Sequence, residues 1–302
     1  MFLNSISVEK LMFNFEAKNL MADFQFSKTH SINCGGKLLD LSEPIVMGIL
    51  NVTPDSFYDG GRYENLEKIH QQVEKMVLES AKIIDIGGMS TRPGGEIISP
   101  SEELRRVLPV INNILKHFPE VFISVDTVHA AVAKEVIVAG AHIINDISGG
   151  QIDNKMFETV AELQVPYVLM HSRGTPQTMS KLNQYNDLPL EILDYFINRV
   201  GKLRELGVKD IIIDLGFGFA KSGKQNFELL KAMPSFKILD LPILAGLSRK
   251  SMIWRTLNIS PDDALNGTTA LNMVALQNGA NILRVHDVKE AVETIKLFRL
   301  VG

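Results

Sequence analysis

The sequence of 302 residues has a single cysteine, a single tryptophan and no apolar run long enough to cross a bilayer. One cysteine cannot form an internal disulfide, so Cys34 argues against a disulfide-stapled secreted scaffold and fits a reducing compartment. A membrane-spanning helix needs about 20 apolar residues, whereas Glu9 and Lys10 interrupt the apolar N-terminal stretch. These absences predict a cytoplasmic protein with no membrane partner.

An excess of basic residues is also lacking. The chain has 31 Lys and Arg against 35 Asp and Glu, which gives a net charge of -4. Nucleic-acid binding favours basic surfaces, so no nucleic-acid partner is expected. An anionic substrate would have to be held by a local cluster of positive side chains. The length suits one (β/α)8 barrel domain, which typically has about 250 residues.

Short apolar runs rich in β-branched residues recur along the chain without polar alternation. Such runs are typical of strands that are buried on both faces, as in a parallel sheet. They predict eight strands: 45–50, 83–86, 122–125, 143–145, 167–170, 211–214, 243–245 and 282–285.

Amphipathic segments with helical spacing separate these runs and predict eight helices: 64–80, 101–118, 128–139, 155–163, 188–206, 226–232, 262–277 and 288–300. The alternation favours an α/β fold of the closed (β/α)8 TIM barrel type, and a doubly wound open sheet is the alternative. We assign residues 21–302 to the barrel domain, with a hairpin around 24–41 that caps its bottom. Residues 1–20 match nothing in the barrel plan and are predicted to be an extension, disordered or not native to the mature chain.

Polar residues follow nearly every predicted strand. In such barrels the carboxyl ends of the strands surround one mouth, where the chemistry takes place. One aspartate after a strand is usually a turn or cap residue, but a barrel selected for stability alone does not need a whole set at one mouth. The set is Asp126, Asn145, Asp214, Lys250, Arg284 and His286. His171 also ends a strand, and a loop-capping role is left open for it.

Two sub-sites follow from the chemistry of these side chains. Arg92, Arg284 and His286 could hold a phosphate or diphosphate, because a guanidinium matches pairs of phosphate oxygens. The remaining residues mix hydrogen-bond acceptors with donors, which suits a flat heterocycle with amino and carbonyl edges. These residues are Asp126, Asn145, Asp214 and Lys250.

Eight motifs occur in an order that resembles the dihydropteroate synthases, from about Asn33 to the C-terminus. They are GILNVTPDSFYDGGRY at 48–63, GGMSTRPGGE at 87–96, SVDT at 124–127, INDISGG at 144–150, MHSRGTPQTM at 170–179, DLGFGF at 214–219, GLSRKSM at 246–252 and RVHDV at 284–288. Two positions depart from the family pattern. Leu215 stands where the family has proline, and Met89 stands where many members have glutamate.

The resemblance implies that 4-aminobenzoate is joined to 6-hydroxymethyl-7,8-dihydropterin diphosphate, giving 7,8-dihydropteroate and diphosphate, with Mg2+ assisting. Pterin binding is implied for Asp126, Asn145, Met170, Asp214, Lys250 and Arg284. Diphosphate binding is implied for Asn51, Thr91, Arg92, Arg284 and His286, with Asn51 as the metal-associated position. Aminobenzoate binding, where sulfonamides also bind, is implied for Phe57, Thr91, Pro93, Phe219, Lys250 and Ser251. The catalytic set would be Arg92, Asp126, Asp214, Lys250, Arg284 and His286.

The resemblance also implies a homodimer. Two alternatives remain: a pterin-binding methyltransfer domain and a non-catalytic paralogue that kept the fold. The methyltransfer domain should not need the STRPGG, SRKS and RVHD motifs, and the paralogue should have lost residues such as Asn51 and His286. All of these are present.

Overall fold

The computed structural model describes residues 31–52, 62–90 and 94–301, with the side chains of all but 62–65. The first two strands, β1 (Ser31–Cys34) and β2 (Lys37–Asp40), form an antiparallel hairpin. Eight further strands run parallel and close into a barrel in chain order, with β10 paired to β3. These are β3 (Ile45–Asn51), β4 (Ile83–Gly87), β5 (Phe122–Asp126), β6 (Ile143–Asp146), β7 (Tyr167–Met170), β8 (Ile211–Asp214), β9 (Ile243–Ala245) and β10 (Ile282–Val285).

Nine α-helices lie in the described part of the chain. They are α1 (Arg62–Leu78), α2 (Pro100–His117), α3 (Ala130–Val138), α4 (Met156–Leu163), α5 (Leu188–Glu205), α6 (Gly223–Ala232), α7 (Ser251–Leu257), α8 (Leu265–Gln277) and α9 (Val288–Val301). Short 3-10 turns occupy Met179–Lys181, Met233–Leu239 and Asp262–Ala264. The predicted (β/α)8 barrel is confirmed, and every predicted strand lies at its predicted position within one residue at each end.

Helix boundaries follow their capping residues. Helix α2 begins where Ser99 accepts a hydrogen bond from the Glu102 N–H at 3.3 Å and Pro100 occupies the first turn. Helix α6 begins three residues earlier than predicted, because Ser222 and Gln225 form a capping box. Helix α7 was not predicted, because a segment of seven residues directly after a polar loop is too short to show the apolar repeat of a helix.

The bottom of the barrel is closed by the hairpin. Ile32, Leu39 and Leu41 are at most 3% exposed. They pack in one cluster with the lowest inward-facing barrel residues: Met47, Ile83, Ile143, Val168, Ile212, Leu244 and Ile282. The predicted hairpin cap is therefore confirmed over β1 and β2, while its first residues, 24–30, and the predicted extension, 1–20, lie outside the described residues.

No helix in the described part of the chain combines the length and apolarity that a membrane span requires. Cys34 ends β1 fully buried, and burial raises the pKa of its thiol to about 12. The thiol therefore stays protonated, as expected for a cysteine with no chemical role.

Candidate active site

The upper half of the barrel interior is polar. Asp85 on β4, Asp126 on β5, Asn145 on β6 and Asp214 on β8 are all buried, and Arg284 on β10 is half-buried. Four of the five lie two residues beyond an apolar residue of the bottom layer, so each side chain points into the same barrel one layer higher. The strands thereby bring together groups that lie far apart in the sequence.

Arg284 links two of the carboxylates. Its Nε donates to Asp85 Oδ2 at 2.7 Å, and its Nη2 donates to Asp126 Oδ2 at 3.0 Å. Asp85 Oδ2 also accepts a hydrogen bond from Asn145 Nδ2 at 3.0 Å. The carboxylate of Asp85 on β4 therefore connects β6 and β10. The sequence had not pointed to this residue.

Two acceptors in this group remain available. Asp85 Oδ1 and Asp126 Oδ1 are buried and have no hydrogen-bond partner within the described ranges. Burial raises the pKa of Asp126 above its usual value, and Arg284, which donates to its Oδ2, acts in the opposite direction. Because an unpaired buried acceptor is costly, these oxygens are suited to a ligand that brings its own donors.

Asp214 and Lys250 form the other side of the mouth. Asp214 Oδ1 accepts from the Gly216 N–H at 2.8 Å, and burial raises its pKa while Lys250 opposes that rise. Burial lowers the pKa of Lys250 to about 8, and Asp214 acts against that shift. Lys250 Nζ donates to the Phe217 carbonyl and lies 4.5 Å from the centre of the Phe219 ring. Lys250 is therefore an easily deprotonated donor held between a carbonyl and an aromatic face.

The loop that carries Phe217 and Phe219 is anchored from inside by a second lysine. Lys221 Nζ lies 2.9 Å from His171 Nδ1 and donates to the carbonyls of Gly216 and Phe219 at 2.9 and 3.0 Å. Burial lowers the pKa of both Lys221 and His171. His171, at the end of β7, therefore contacts the lysine that holds the loop after β8.

The loops after β9 and β10 are bound to each other. The backbone N–H of His286 donates to Ser248 Oγ at 3.1 Å, and the same Oγ lies 3.0 Å from His286 Nδ1. Arg249, at a left-handed φ of 53°, binds both carboxylate oxygens of Asp287 at 2.9 Å. These contacts thus hold His286 together with Lys250 and Ser251, which follow Arg249 at the start of α7.

Most of the predicted site residues come together at this mouth. The pterin set does so completely, with Met170 buried against Met89, Val128 and Ile147 beside Phe219. From the other sets, Asn51 ends β3 next to β10, Phe219 lies on the loop after β8, and Ser251 begins α7 directly after Lys250. Four predicted residues lie outside the described residues: Phe57, Thr91, Arg92 and Pro93.

Comparison with known proteins agrees with this geometry. A model of pterin binding enzymes matches residues 47–286. The dihydropteroate synthase of Escherichia coli K12 is 45% identical over 264 residues, which cover 87% of this chain and 93% of that protein. The chain belongs to the dihydropteroate synthase family.

Solved structures of dihydropteroate synthases have the same fold. One from Yersinia pestis in a sulfonamide drug complex is 42% identical, with a TM-score of 0.84 over 90% of this chain and 99% of that one. One from Xanthomonas albilineans in complex with 7,8-dihydropteroate is 36% identical, with a TM-score of 0.81 over 90% and 98% of the two chains. The prediction of a transferase of the folate pathway is confirmed by these relatives.

The two departures from the dihydropteroate synthase pattern are both accommodated in the core. Leu215 is fully buried, and Met89 is 3% exposed against Met170. Neither position supplies a polar group to the mouth. Neither departure therefore removes a polar group from the set of site residues assigned above.

Sequence reasoning missed Asp85, Ser248 and Lys221. It examined residues after each strand, whereas Asp85 lies inside the strand segment Ile83-Ile84-Asp85-Ile86. A charge within an apolar strand was the available signal, because such a residue must have a buried partner. Lys221 lies two residues beyond the DLGFGF motif, and nothing local indicated that its side chain turns back inside the loop.

The residues fit a metal that arrives with its substrate. The described residues contain no group of three His, Cys, Asp or Glu side chains that could hold a metal ion alone. Asn51 does present an amide oxygen, which lies beside Gly87 on the neighbouring strand. Mg2+ is commonly bound through few protein oxygens together with water and substrate phosphates. One amide oxygen beside a diphosphate sub-site meets that requirement.

Proposed function

We propose that this mouth joins 4-aminobenzoate to 6-hydroxymethyl-7,8-dihydropterin diphosphate with the residue roles predicted above. The observation that carries the proposal is the polar upper layer, in which Asp126, Asn145, Asp214 and Lys250 lie around one barrel mouth with Arg284 beside them. A bicyclic ring with donor and acceptor edges would satisfy the unpaired oxygens that this layer contains. Such a ring is the pterin of the family's reaction.

In the pterin sub-site, Asp126 and Asp214 accept hydrogen bonds from the N–H edge of the ring. Lys250 donates to a ring oxygen or nitrogen, and Met170 contacts its apolar face. Arg284 lies with its guanidinium plane against the ring, because Asp85 and Asp126 hold that plane from one side. The ring is thereby bound by groups whose positions are already fixed before it arrives.

In the diphosphate sub-site, Asn51, Thr91, Arg92, Arg284 and His286 contact the leaving group. Arg92 and His286 stabilise the charge that develops on the diphosphate as its bond to the pterin methylene breaks. Asn51 would hold Mg2+ together with the diphosphate, and the ion would supply further neutralisation of that charge. Because an aryl amine is a weak nucleophile, stabilising the leaving group accounts for most of the rate.

In the aminobenzoate sub-site, Phe57, Thr91, Pro93, Phe219, Lys250 and Ser251 surround the second substrate, and a sulfonamide would occupy the same place. The electron-rich dihydropterin carries the positive charge left on the methylene, and Asp126 and Asp214 favour that charge through the ring. The amine then attacks the methylene carbon and loses a proton to solvent, so that the new C–N bond replaces the C–O bond to the departed diphosphate. No covalent bond to the enzyme is required.

We further propose a cytoplasmic homodimer whose functional unit is residues 21–302. This unit contains every residue assigned above. Removing residues 1–20 should leave turnover unchanged, which a truncated chain would test directly. A fall of tenfold or more, far beyond the usual effect of a dispensable terminus, would count against this boundary.

The reaction itself is tested by incubating the chain with the dihydropterin diphosphate, 4-aminobenzoate and Mg2+. We expect dihydropteroate and diphosphate to form in equal amounts. Arg92→Ala should leave affinity for 6-hydroxymethylpterin unchanged while turnover falls, because the role of Arg92 is confined to the leaving group. No product from the wild-type chain would refute the proposal, and wild-type turnover in Arg92→Ala would refute that residue's role.

A further inference from the structure

Asp85 is fully buried in the middle of β4, and the family resemblance assigns it to none of the sub-sites described above. We propose that Asp85 is a positioning residue that sets the hydrogen-bonding polarity of the pterin pocket. It does so by holding the amide nitrogen of Asn145, so that the amide oxygen is the atom presented to the ligand. This inference rests on the proposed pterin site and adds a determinant of its specificity.

The orientation of Asn145 follows from the chemistry of its partner. An ionised carboxylate offers only acceptors, and an asparagine amide has one donor end and one acceptor end. Asp85 Oδ2 lies 3.0 Å from Asn145 Nδ2. Turning the amide over would place two oxygens against each other in a buried site, so the pairing allows only one orientation.

Arg284 donates to the same carboxylate oxygen that Asn145 contacts. Its Nε lies 2.7 Å from Asp85 Oδ2 and closes an ion pair in which Asp85 has no exposed surface. An oxygen that accepts from a guanidinium is placed to accept from the Asn145 amide as well. Arg284 on β10 therefore determines, through Asp85 on β4, which end of the Asn145 amide on β6 faces the mouth.

Asp126, which pairs in register with Asn145 on the neighbouring strand, has the same polarity. Its Oδ1 is an acceptor without a hydrogen-bond partner in the described part of the chain. Asp126 Oδ1 and the amide oxygen of Asn145 form an acceptor edge that selects a ligand edge made of ring N–H and amino groups. A heterocycle with carbonyl oxygens along that edge would be rejected, because acceptors would face acceptors.

The test is calorimetric titration of the full chain with 6-hydroxymethylpterin, which needs neither diphosphate nor turnover. Asp85→Asn removes the charge and frees the Asn145 amide to turn. We expect affinity to fall by about 10- to 100-fold, as when a buried hydrogen bond to a charged group is lost. Asp194→Asn, the same change at an exposed position on α5, should leave affinity within about threefold.

The swapped variant Asp85→Asn/Asn145→Asp separates polarity from charge pairing and from damage to the fold. Asn at position 85 would donate its amide nitrogen to the carboxylate at 145, whose second oxygen would again face the ligand. We expect this variant to recover affinity to within about threefold of wild type. If Asp85 acted only by anchoring Arg284, the swap would bind as weakly as Asp85→Asn.

Three results decide between the possibilities. Recovery in the swapped variant supports the inference, even where Asp85→Asn alone fails to fold. Unchanged affinity in folded Asp85→Asn, or no recovery in the swap, overturns the inference and leaves the proposed pterin site intact. A wild-type chain that does not bind the pterin overturns the proposed site and this inference with it.

Discussion

The two halves of the barrel interior are built from the same strands and have opposite chemistry. In the lower half Ile83, Ile143, Ile212 and Ile282 are fully buried against the hairpin that closes the barrel bottom. Two residues further along each strand stand Asp85, Asn145, Asp214 and Arg284. The register that keeps side chains inward is the same, and only the residue type changes from one layer to the next.

The contrast separates what folds the chain from what it does. The lower layer lowers the free energy of the folded state by removing apolar surface from water. The upper layer buries charges and leaves Asp85 Oδ1 and Asp126 Oδ1 without partners in the described residues, which opposes folding. A barrel keeps such a layer where a ligand completes it.

The largest expected effect comes from removing a charge from the upper layer. Lys250→Met should lower affinity for 6-hydroxymethylpterin by about 100-fold or more, as expected when a buried charge loses its partner. The free energy of unfolding should fall less than in a variant of the lower layer, because the Met side chain fills the space of the Lys side chain while Asp214 loses a neighbouring cation. Calorimetry and urea denaturation measure the two quantities.

Lys224→Met, the same substitution at an exposed position of α6, is the control and should change neither quantity. The division between the layers breaks down if Lys250→Met keeps wild-type affinity or unfolds as readily as a variant of the lower layer.

In the lower layer we expect the opposite result, a loss of stability with little change in affinity. Ile282→Ala should lower the free energy of unfolding by about 2–5 kcal/mol, because it leaves a cavity under the hairpin. Affinity for 6-hydroxymethylpterin, measured on the folded variant, should stay within about threefold. Leu297→Ala, at a side chain that is 58% exposed, should leave stability nearly unchanged. A large loss of affinity in Ile282→Ala would show that the layers are not independent.

A smaller effect should come from Glu103, which is fully buried on α2 with its Oε2 3.9 Å from His129 Nε2. Burial raises its pKa to about 7 from 4.5. Between those values the folded state binds more protons than the unfolded state, so the free energy of unfolding falls as pH rises, by up to about 3 kcal/mol. Glu103→Gln abolishes this dependence.

The measurement is urea denaturation at about pH 5 and about pH 8, on either side of the folded-state pKa. Relative to wild type, Glu103→Gln should be more stable at the higher pH than at the lower. Glu158→Gln, at an exposed position of α4, should follow the wild-type pH dependence. An equal difference at both pH values would mean that Glu103 does not titrate in this range.

The strands could be predicted because burial on both faces forces continuous apolar runs, as in Tyr167–Met170 and Ile282–Val285, which match their predicted bounds. The polar mouth was predictable because strand ends must converge in a closed barrel. Contacts between side chains were not, since Arg284 and Asp85 are 199 residues apart and only the closed barrel brings them together. Helix α7 was lost for a local reason, because seven residues carry too little periodicity.

The contacts of Ser248, Arg249 and Asp287 join the loop after β9 and the loop after β10, two rims of the mouth, into one rigid unit. Lys250 on one rim and His286 on the other cannot be displaced separately while Arg249 binds both oxygens of Asp287. A substrate fragment that binds against one of these two loops also restricts the motion of the other loop. The conformational entropy of the two loops is therefore lost only once, when the first fragment binds. Occupancy by the ring and by its charged tail should therefore be mutually reinforcing in this chain.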